Sequence, residues 1–369
     1  MKKYNIYYYH PLSLTFKSAQ TLQIVRDYAY LAHRGYQVFL NGYIVNESDL
    51  ISILQYSKNN TLHVKVRGIG IYRTIRYVFY ELKQLLSKKN IIVTRHYRKL
   101  EKILLLKKIF PHIKVIHEMH EEAFPYLFKK NLSKNKIEKL FSAVDGIVFT
   151  NKSQLDMYQI EFGELPSKYT ILPNGVELEK FNKAKMKNNY VITYVGQFNA
   201  WKNIELLFQS LMMLDKKYTL RIAGGKGDDE SKHYIEKLKR KYRIEDQRVD
   251  YKGYVDNSDI VSRVLDSSNV LVLPLGDNLQ AKYLTSPMKL FEYMATSIPV
   301  VAVNYPSVNG IVSEQEIFLA KNDPEDFAKY IKKACAVACN DKILKMNHKV
   351  KQYTYENRSV AYNTFIQSF

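Results

Sequence analysis

The chain has 369 residues, 46% of them hydrophobic and 25% charged, with 56 Lys and Arg against 36 Asp and Glu for a net charge of +20. That length suits two domains of ordinary size, and that composition belongs to a soluble globular protein and excludes a disordered or fibrous one. No run of 18 apolar residues is available to cross a bilayer, and the start MKKYNIYYYHPLSL lacks the apolar stretch of a secretory signal, so a cytoplasmic protein is expected.

In chain order, 5–9 reads as a strand, 19–33 as a helix, and 36–40 as a strand after Arg34-Gly35 stops that helix. Short β-like runs follow at 61–66, 91–94, 114–117 and 146–150, with helical patterns between them. This alternation is the βαβ signature of a parallel, doubly wound sheet. Two of the intervening segments, 67–89 and 95–108, are expected to be helices with Lys/Arg on one face and Tyr, Phe and Leu on the other. Residues 1–184 hold 29 basic and 15 acidic side chains, and the remainder 27 and 21. The positive field therefore belongs mainly to the first half. It fits an anionic lipid surface or nucleic acid, and equally a solvated helix face.

Pro173-Asn174-Gly175 is a strong turn signal, and the polar stretch 182–189 behind it reads as a linker. A second α/β set then follows: strand 191–195, helix 204–214, strand 219–223, the loop GGKGDD (224–229) and a helix, strand 249–251, helix 258–266 and strand 270–274. The segment 285–303, TSPMKLFEYMATSIPVVAV, comes next. There Thr285-Ser286 offers capping hydroxyls, Pro287 fits the first helical position, and the free amides of the first turn suit an anion. Val300-Val301-Ala302-Val303 reads as a buried strand, and 324–337 as a helix. Two such halves predict a ligand cleft between the carboxyl ends of their strands. Cys335 and Cys339, four apart on this last helix, have no Cys or His pair near them with metal-ligand spacing and read as packing residues.

Four pieces in order, ILPNGVELEKF (171–181), YVGQFNAWKN (194–203), KGYV (252–255) and SPMKLFEYMATSIPVVA (286–302), make the second half similar to the donor-binding domain of GT-B glycosyltransferases of family 4, also called group 1. The tail YTYENRSVAYNTF (353–365) resembles that family's closing helix. The resemblance implies a GT-B fold: two doubly wound Rossmann-like domains facing a central cleft, an acceptor-binding one over 1–175 and a nucleotide-sugar-binding one over 176–350. Residues 351–369 would form a helix crossing back to the first.

What the resemblance implies for the site is specific. Glu292 matches the glutamate that accepts hydrogen bonds from the nucleotide ribose, a task suited to a carboxylate facing a cis-diol. Lys202 matches the basic residue on the donor diphosphate. Gly196, Tyr254, Val255, Ser286, Pro287 and Met288 fall in the donor-binding motifs. Where family members often have an Arg after the motif glycine, Gln197 follows Gly196, so Lys289, on the face of Glu292, is expected to supply the charge. The first member of the family's glutamate pair would fall at Leu284, which cannot hydrogen-bond a sugar.

In the first half, VIHEMHEEAF (115–124) resembles the segment whose histidine sits over the reacting sugar. His120, with Glu121, takes that catalytic position; His117 and Glu118 are expected on the preceding strand. A packed, hydrogen-bonded histidine is the alternative. HEMH has one residue fewer than a metalloprotease motif needs, and no metal or other cofactor is expected. The GGKGDD loop lacks both phosphate-loop signatures, and Asp228-Asp229 reads as a solvated pair.

The reading is a metal-independent, retaining, hexosyltransferase-like enzyme, peripheral on the inner face of a membrane. It moves a sugar from a nucleotide donor to a glycan or lipid-linked acceptor in cell-surface polysaccharide or glycoconjugate synthesis; nucleic acid is not an expected partner. The alternative is a catalytically degenerate member that serves as a basic lipid- or nucleic-acid-binding module.

Overall fold

The computed structural model describes residues 4–14, 19–44, 62–66, 90–120, 133–165, 167–336 and 339–369. Two of the expectations above, the basic helix over 67–89 and the catalytic role of Glu121, fall outside the described residues. The chain divides into two units, Met1–Pro173 with Tyr355–Phe369, and Asn174–Thr354.

Unit 1 holds a seven-stranded parallel sheet in the order β3-β2-β1-β4-β5-β6-β7. Its strands are β1 (Asn5–Leu14), β2 (Gln37–Ile44), β3 (Leu62–Val66), β4 (Asn90–Thr94), β5 (Lys114–Met119), β6 (Gly146–Phe149) and β7 (Lys168–Ile171). The central strands β4 and β6 are buried throughout and so read as continuous apolar runs. Helices α1 (Ala19–His33), α2 (Tyr97–Ile109), α3 (Lys134–Ala143) and α4 (Lys152–Phe162) make the connections. Gly35, at φ +87°, ends α1 in the left-handed conformation that favours glycine.

Unit 2 repeats the arrangement with six parallel strands in the order β10-β9-β8-β11-β12-β13. These are β8 (Val191–Gly196), β9 (Thr219–Gly224), β10 (Val249–Tyr251), β11 (Val270–Leu273), β12 (Val300–Val303) and β13 (Phe318–Ala320). They pack with α5 (Ile204–Met212), α6 (Asp229–Lys241), α7 (Met288–Met294), α8 (Pro324–Ala336) and α9 (Asn340–Val350). Helix α10 (Tyr355–Gln367) then packs on α1 of unit 1, where Arg34 Nε donates to Ser359 Oγ at 2.7 Å. In each sheet the strand order reverses beside the first strand, at β1/β4 and at β8/β11, which is where a doubly wound sheet opens a ligand crevice.

Several local expectations change. The polar stretch 182–189 is no free linker: Ala184 is fully buried in the core of unit 2, and Lys187 N donates to Ser268 O at 3.0 Å. The turn at Pro173-Asn174 is where the units part, and Lys351–Tyr353 stays with unit 2. The helix expected over 258–266 is shorter, a π-helix over Val261–Leu265. Cys339 stands outside α8, just before α9. Strands β7 and β13 lacked a sequence signal, being short edge strands, with β7 half-exposed. Among the described residues no helix is long and apolar enough to cross a membrane.

Candidate active site

The donor-site candidates lie in unit 2 at the carboxyl ends of its strands. Gly196 ends β8, and its carbonyl accepts from Gly225 N at 3.1 Å; Gly224 N in turn donates to Gly253 O at 2.8 Å. The exits of β8, β9 and β10 are thereby joined. The approach of β9 to β8 requires glycine: a Cβ on Gly224, whose φ is +136°, would stand 1.8 Å from the Gly196 carbonyl oxygen. In GGKGDD, Asp228 caps α6 by accepting from Ser231 N at 2.9 Å, so this acidic pair serves the helix. Tyr254 lies over the same loop, where a Cβ on Gly227 would meet its Cβ at 2.7 Å. The Val255 side chain belongs to the core, which leaves its main chain for a ligand.

Lys202 closes the turn Ala200–Lys202, and Asn203, in the left-handed conformation at φ +46°, leads into α5. The ammonium lies 3.8 Å from the centre of the Trp201 ring. Although the residue as a whole is only partly buried, its charged tip is shielded. Burial, followed by repulsion from Lys289, pushes its pKa down to about 7, against a smaller pull from Glu292.

Helix α7 carries the other two charges. It begins differently from expectation: Pro287 is itself the cap residue, with no side-chain cap. The Ser286 hydroxyl accepts from Asn174 N at 3.0 Å, and the Asn174 side chain donates to Ser286 O. The amides of Met288 and Lys289 nonetheless belong to the first turn, which has no intrahelical acceptors. The helix is locked to β8 by Tyr293, whose hydroxyl accepts from Val195 N at 2.8 Å. Glu292 is 4% exposed and ion-paired with Lys289 one turn earlier, so in this structure the ammonium of Lys289 is engaged by the carboxylate. Leu284 is a core residue, 2% exposed.

The unit 1 candidate, His120, lies just beyond β5 and turns out to be the rim of a buried charge network. Glu118, fully buried on β5, accepts from Arg95 Nε at 2.7 Å, from Tyr28 Oη at 2.9 Å and from Tyr362 Oη at 3.0 Å. Arg95 Nη2 also faces Asp27 Oδ2 at 3.7 Å, and Asp27 Oδ1 accepts from Arg358 Nε at 2.8 Å. Arg358, from α10, also donates to the carbonyls of Leu172 and Pro173. Although burial opposes ionisation, the Arg95 guanidinium holds the Glu118 carboxyl well below the usual range.

His120 Nε2 is buried and faces Glu118 Oε2 at 3.6 Å. Burial, and then the charge of Arg95, push the His120 pKa down to about 3. His117, stacked on Phe141 at 5.3 Å between ring centres, is pushed down to about 4 by burial. Arg95, Tyr97, His117, His120 and Gln154 line a cavity of about 20 Å³, room for roughly one water. Sequence reading picked out His120 and missed Asp27, Arg95 and Arg358. The one local signal was Arg95 directly behind the buried strand NIIVT, the edge where doubly wound sheets place functional groups. Among the described residues no group of three or more His, Cys, Asp or Glu is placed to hold a metal.

Two α/β units with these strand orders define the class, a GT-B fold. The solved structure of HepE from Anabaena in complex with UDP and glucose has a TM-score of 0.74 at 11% identity, with 100% of both chains covered. A glycosyltransferase of Rickettsia africae has a TM-score of 0.74 at 14% identity, covering 99% of this chain and 98% of that one. The lipopolysaccharide outer core galactosyltransferase WaaB has 0.69 at 15%, covering 99% of each. At these identities the likeness is one of fold. The family signal comes from sequence: residues 176–357 match the model described as glycosyl transferases group 1. No curated protein sequence matches the chain significantly.

Proposed function

We propose that this glycosyltransferase moves a sugar from a nucleoside-diphosphate donor, with retention of configuration and without a metal ion, to a glycan or lipid-linked acceptor of the cell surface. The observation that carries this reading is the cluster of Lys202, Lys289 and Glu292 at the carboxyl edge of the unit 2 sheet, inside the segment that matches the family. The donor diphosphate is assigned to Lys202, whose shielded ammonium interacts with an anion more strongly than one in open water. Binding exchanges partners: Glu292 turns to the ribose hydroxyls and releases Lys289 to the diphosphate. As the glycosidic bond breaks, negative charge grows on the leaving diphosphate, and these two cations with the first-turn amides at Met288 and Lys289 stabilise it. His120 is assigned to hydroxyls of the donor sugar or the acceptor. UDP is the first nucleotide to try, because HepE was solved with it.

The test is a thermal-shift panel of nucleoside diphosphates and their sugars, followed by hydrolysis of the best donor in the presence of EDTA. Glu292→Ala is expected to weaken nucleotide binding by about 10- to 100-fold, the loss of one or two charge-assisted hydrogen bonds. Stabilisation by no member of the panel would refute the donor site; binding without any turnover would favour a non-catalytic module.

The membrane part of the proposal draws on α2. Leu105 and Ile109 are 58% and 68% exposed, with exposed Lys102 and Lys108 on the same face at helical spacing. Sedimentation with anionic but not neutral vesicles is expected, weakened in Leu105→Glu; equal recovery from both vesicle types would refute it.

A further inference from the structure

The sequence singles out His120, and the side chain that faces it stands two residues earlier. Glu118 is fully buried, and four elements converge on it: β5, which carries it, α1 through Tyr28, the β4–α2 junction through Arg95, and α10 through Tyr362. So many donors on one carboxylate hold its oxygens in fixed places, and Oε2 faces the ring of His120.

The protonation of that ring follows from geometry. Nε2 is buried without a hydrogen-bond partner, and the atom facing it, just beyond bonding distance at 3.6 Å, is a carboxylate oxygen. A lone pair on Nε2 would be repelled by that oxygen, whereas an N–H is attracted to it and a small approach of the ring closes the bond that a buried N–H requires. A second proton, on Nδ1, is opposed by the surroundings. Arg95 and Arg358 are both cationic, His117 shares the small cavity, Tyr97 and Gln154 bring no negative charge, and the ring is withdrawn from solvent. Among the described residues of this set, Glu118 alone favours a cation.

We propose that Glu118 is a positioning residue that takes the Nε2–H of a neutral His120, fixes the ring in the Nε2–H tautomer and leaves Nδ1 as a hydrogen-bond acceptor for a sugar hydroxyl. The proposal rests on the assignment of His120 to the sugar. His120 then neither gains nor loses a proton during turnover; it orients a hydroxyl. Because two of the groups that hold Glu118, directly or through Asp27, come from α10, docking of that helix is part of what sets the ring.

The decisive measurement is a ¹⁵N-histidine NMR spectrum of the full chain, with the His120 signals assigned by their loss in His120→Asn. The expected result is one neutral Nε2–H tautomer, unchanged from pH 5.5 to 9. A Nδ1–H tautomer, or titration near the ordinary histidine pKa of about 6.5, would overturn the proposal. Glu118→Gln should mix the tautomers and lower kcat by about 10- to 100-fold, the usual effect of removing the partner that orients a functional histidine, with KM for the nucleotide sugar within about threefold. Should Glu118→Gln fail to fold, the wild-type spectrum still decides. Full turnover in Glu118→Gln with loss in His120→Asn would overturn the positioning role. Full turnover in both would remove His120 from the reaction, and with it the assignment on which the proposal stands.

Discussion

The shielded ammonium of Lys202 makes nucleotide binding a proton-linked event. In the free protein its pKa is down at about 7, so at pH 8 roughly nine in ten of these side chains are neutral. A diphosphate beside it stabilises the charged form and drives the pKa back up, so binding above pH 7 must take up a proton. The secondary ionisation of a phosphate, with a pKa of about 6, is already roughly nine-tenths complete at pH 7 and adds little over this range. The dissociation constant then grows as one plus ten to the power of pH minus the free pKa. Between pH 7.0 and 8.5 affinity falls roughly 16-fold, or about 1.6 kcal/mol. Isothermal titration with UDP in two buffers of different ionisation enthalpy counts the protons directly, and about 0.9 per ligand is expected at pH 8. In Lys202→Met, binding should be weaker at pH 7 and its pH dependence flat. A wild-type affinity constant across this range, or an equal slope in the variant, would refute the argument.

Two further predictions concern stability. His117 and His120 have pKa values pushed down to about 4 and 3, so the unfolded chain binds more protons than the folded one below pH 6.5, and stability falls as pH falls. Two such groups give at most about 2.7 kcal/mol per pH unit between their folded values and 6.5; hydrogen exchange of β5 amides should detect it, with about half the slope in His117→Phe, and protection independent of pH would count against it. Gly224→Ala, which brings a methyl group onto the Gly196 carbonyl, should cost about 3 kcal/mol or more, against about 1–2 kcal/mol of strain alone for Gly253→Ala, whose added Cβ meets nothing within 4 Å at φ +66°. Equal urea midpoints for the two variants would contradict the contact.

How much was legible in the sequence depended on the range of the interaction. The runs NIIVT and VVAV announced buried parallel strands, because a strand covered on both faces has no polar alternation to confuse the reading. KYTI and FLA did not: KYTI is a half-exposed edge strand with mixed polarity, and FLA is three residues long. On the donor side Lys289 and Glu292 sit one helical turn apart, and helical spacing alone put them together. Around Glu118 the opposite held: Asp27, Arg95 and Arg358 meet only through the fold, and buried charges have the same letters as solvated ones. The helix start at Pro287 shifted because Ser286 was taken by Asn174, a partner 112 positions away.

The placement of α10 also bears on how the protein is made. Residues 355–369 emerge from the ribosome only after the whole of unit 2, yet they bring Arg358 to Asp27 and Tyr362 to Glu118. Until then the nascent N-terminal unit holds two acids without part of their compensation, which makes it incomplete for as long as unit 2 takes to be synthesised. A ribosome that stops before α10 therefore releases a chain with a finished second unit and an unfinished first one. Such a product would be open to proteases, so the settling of the first unit waits on that helix.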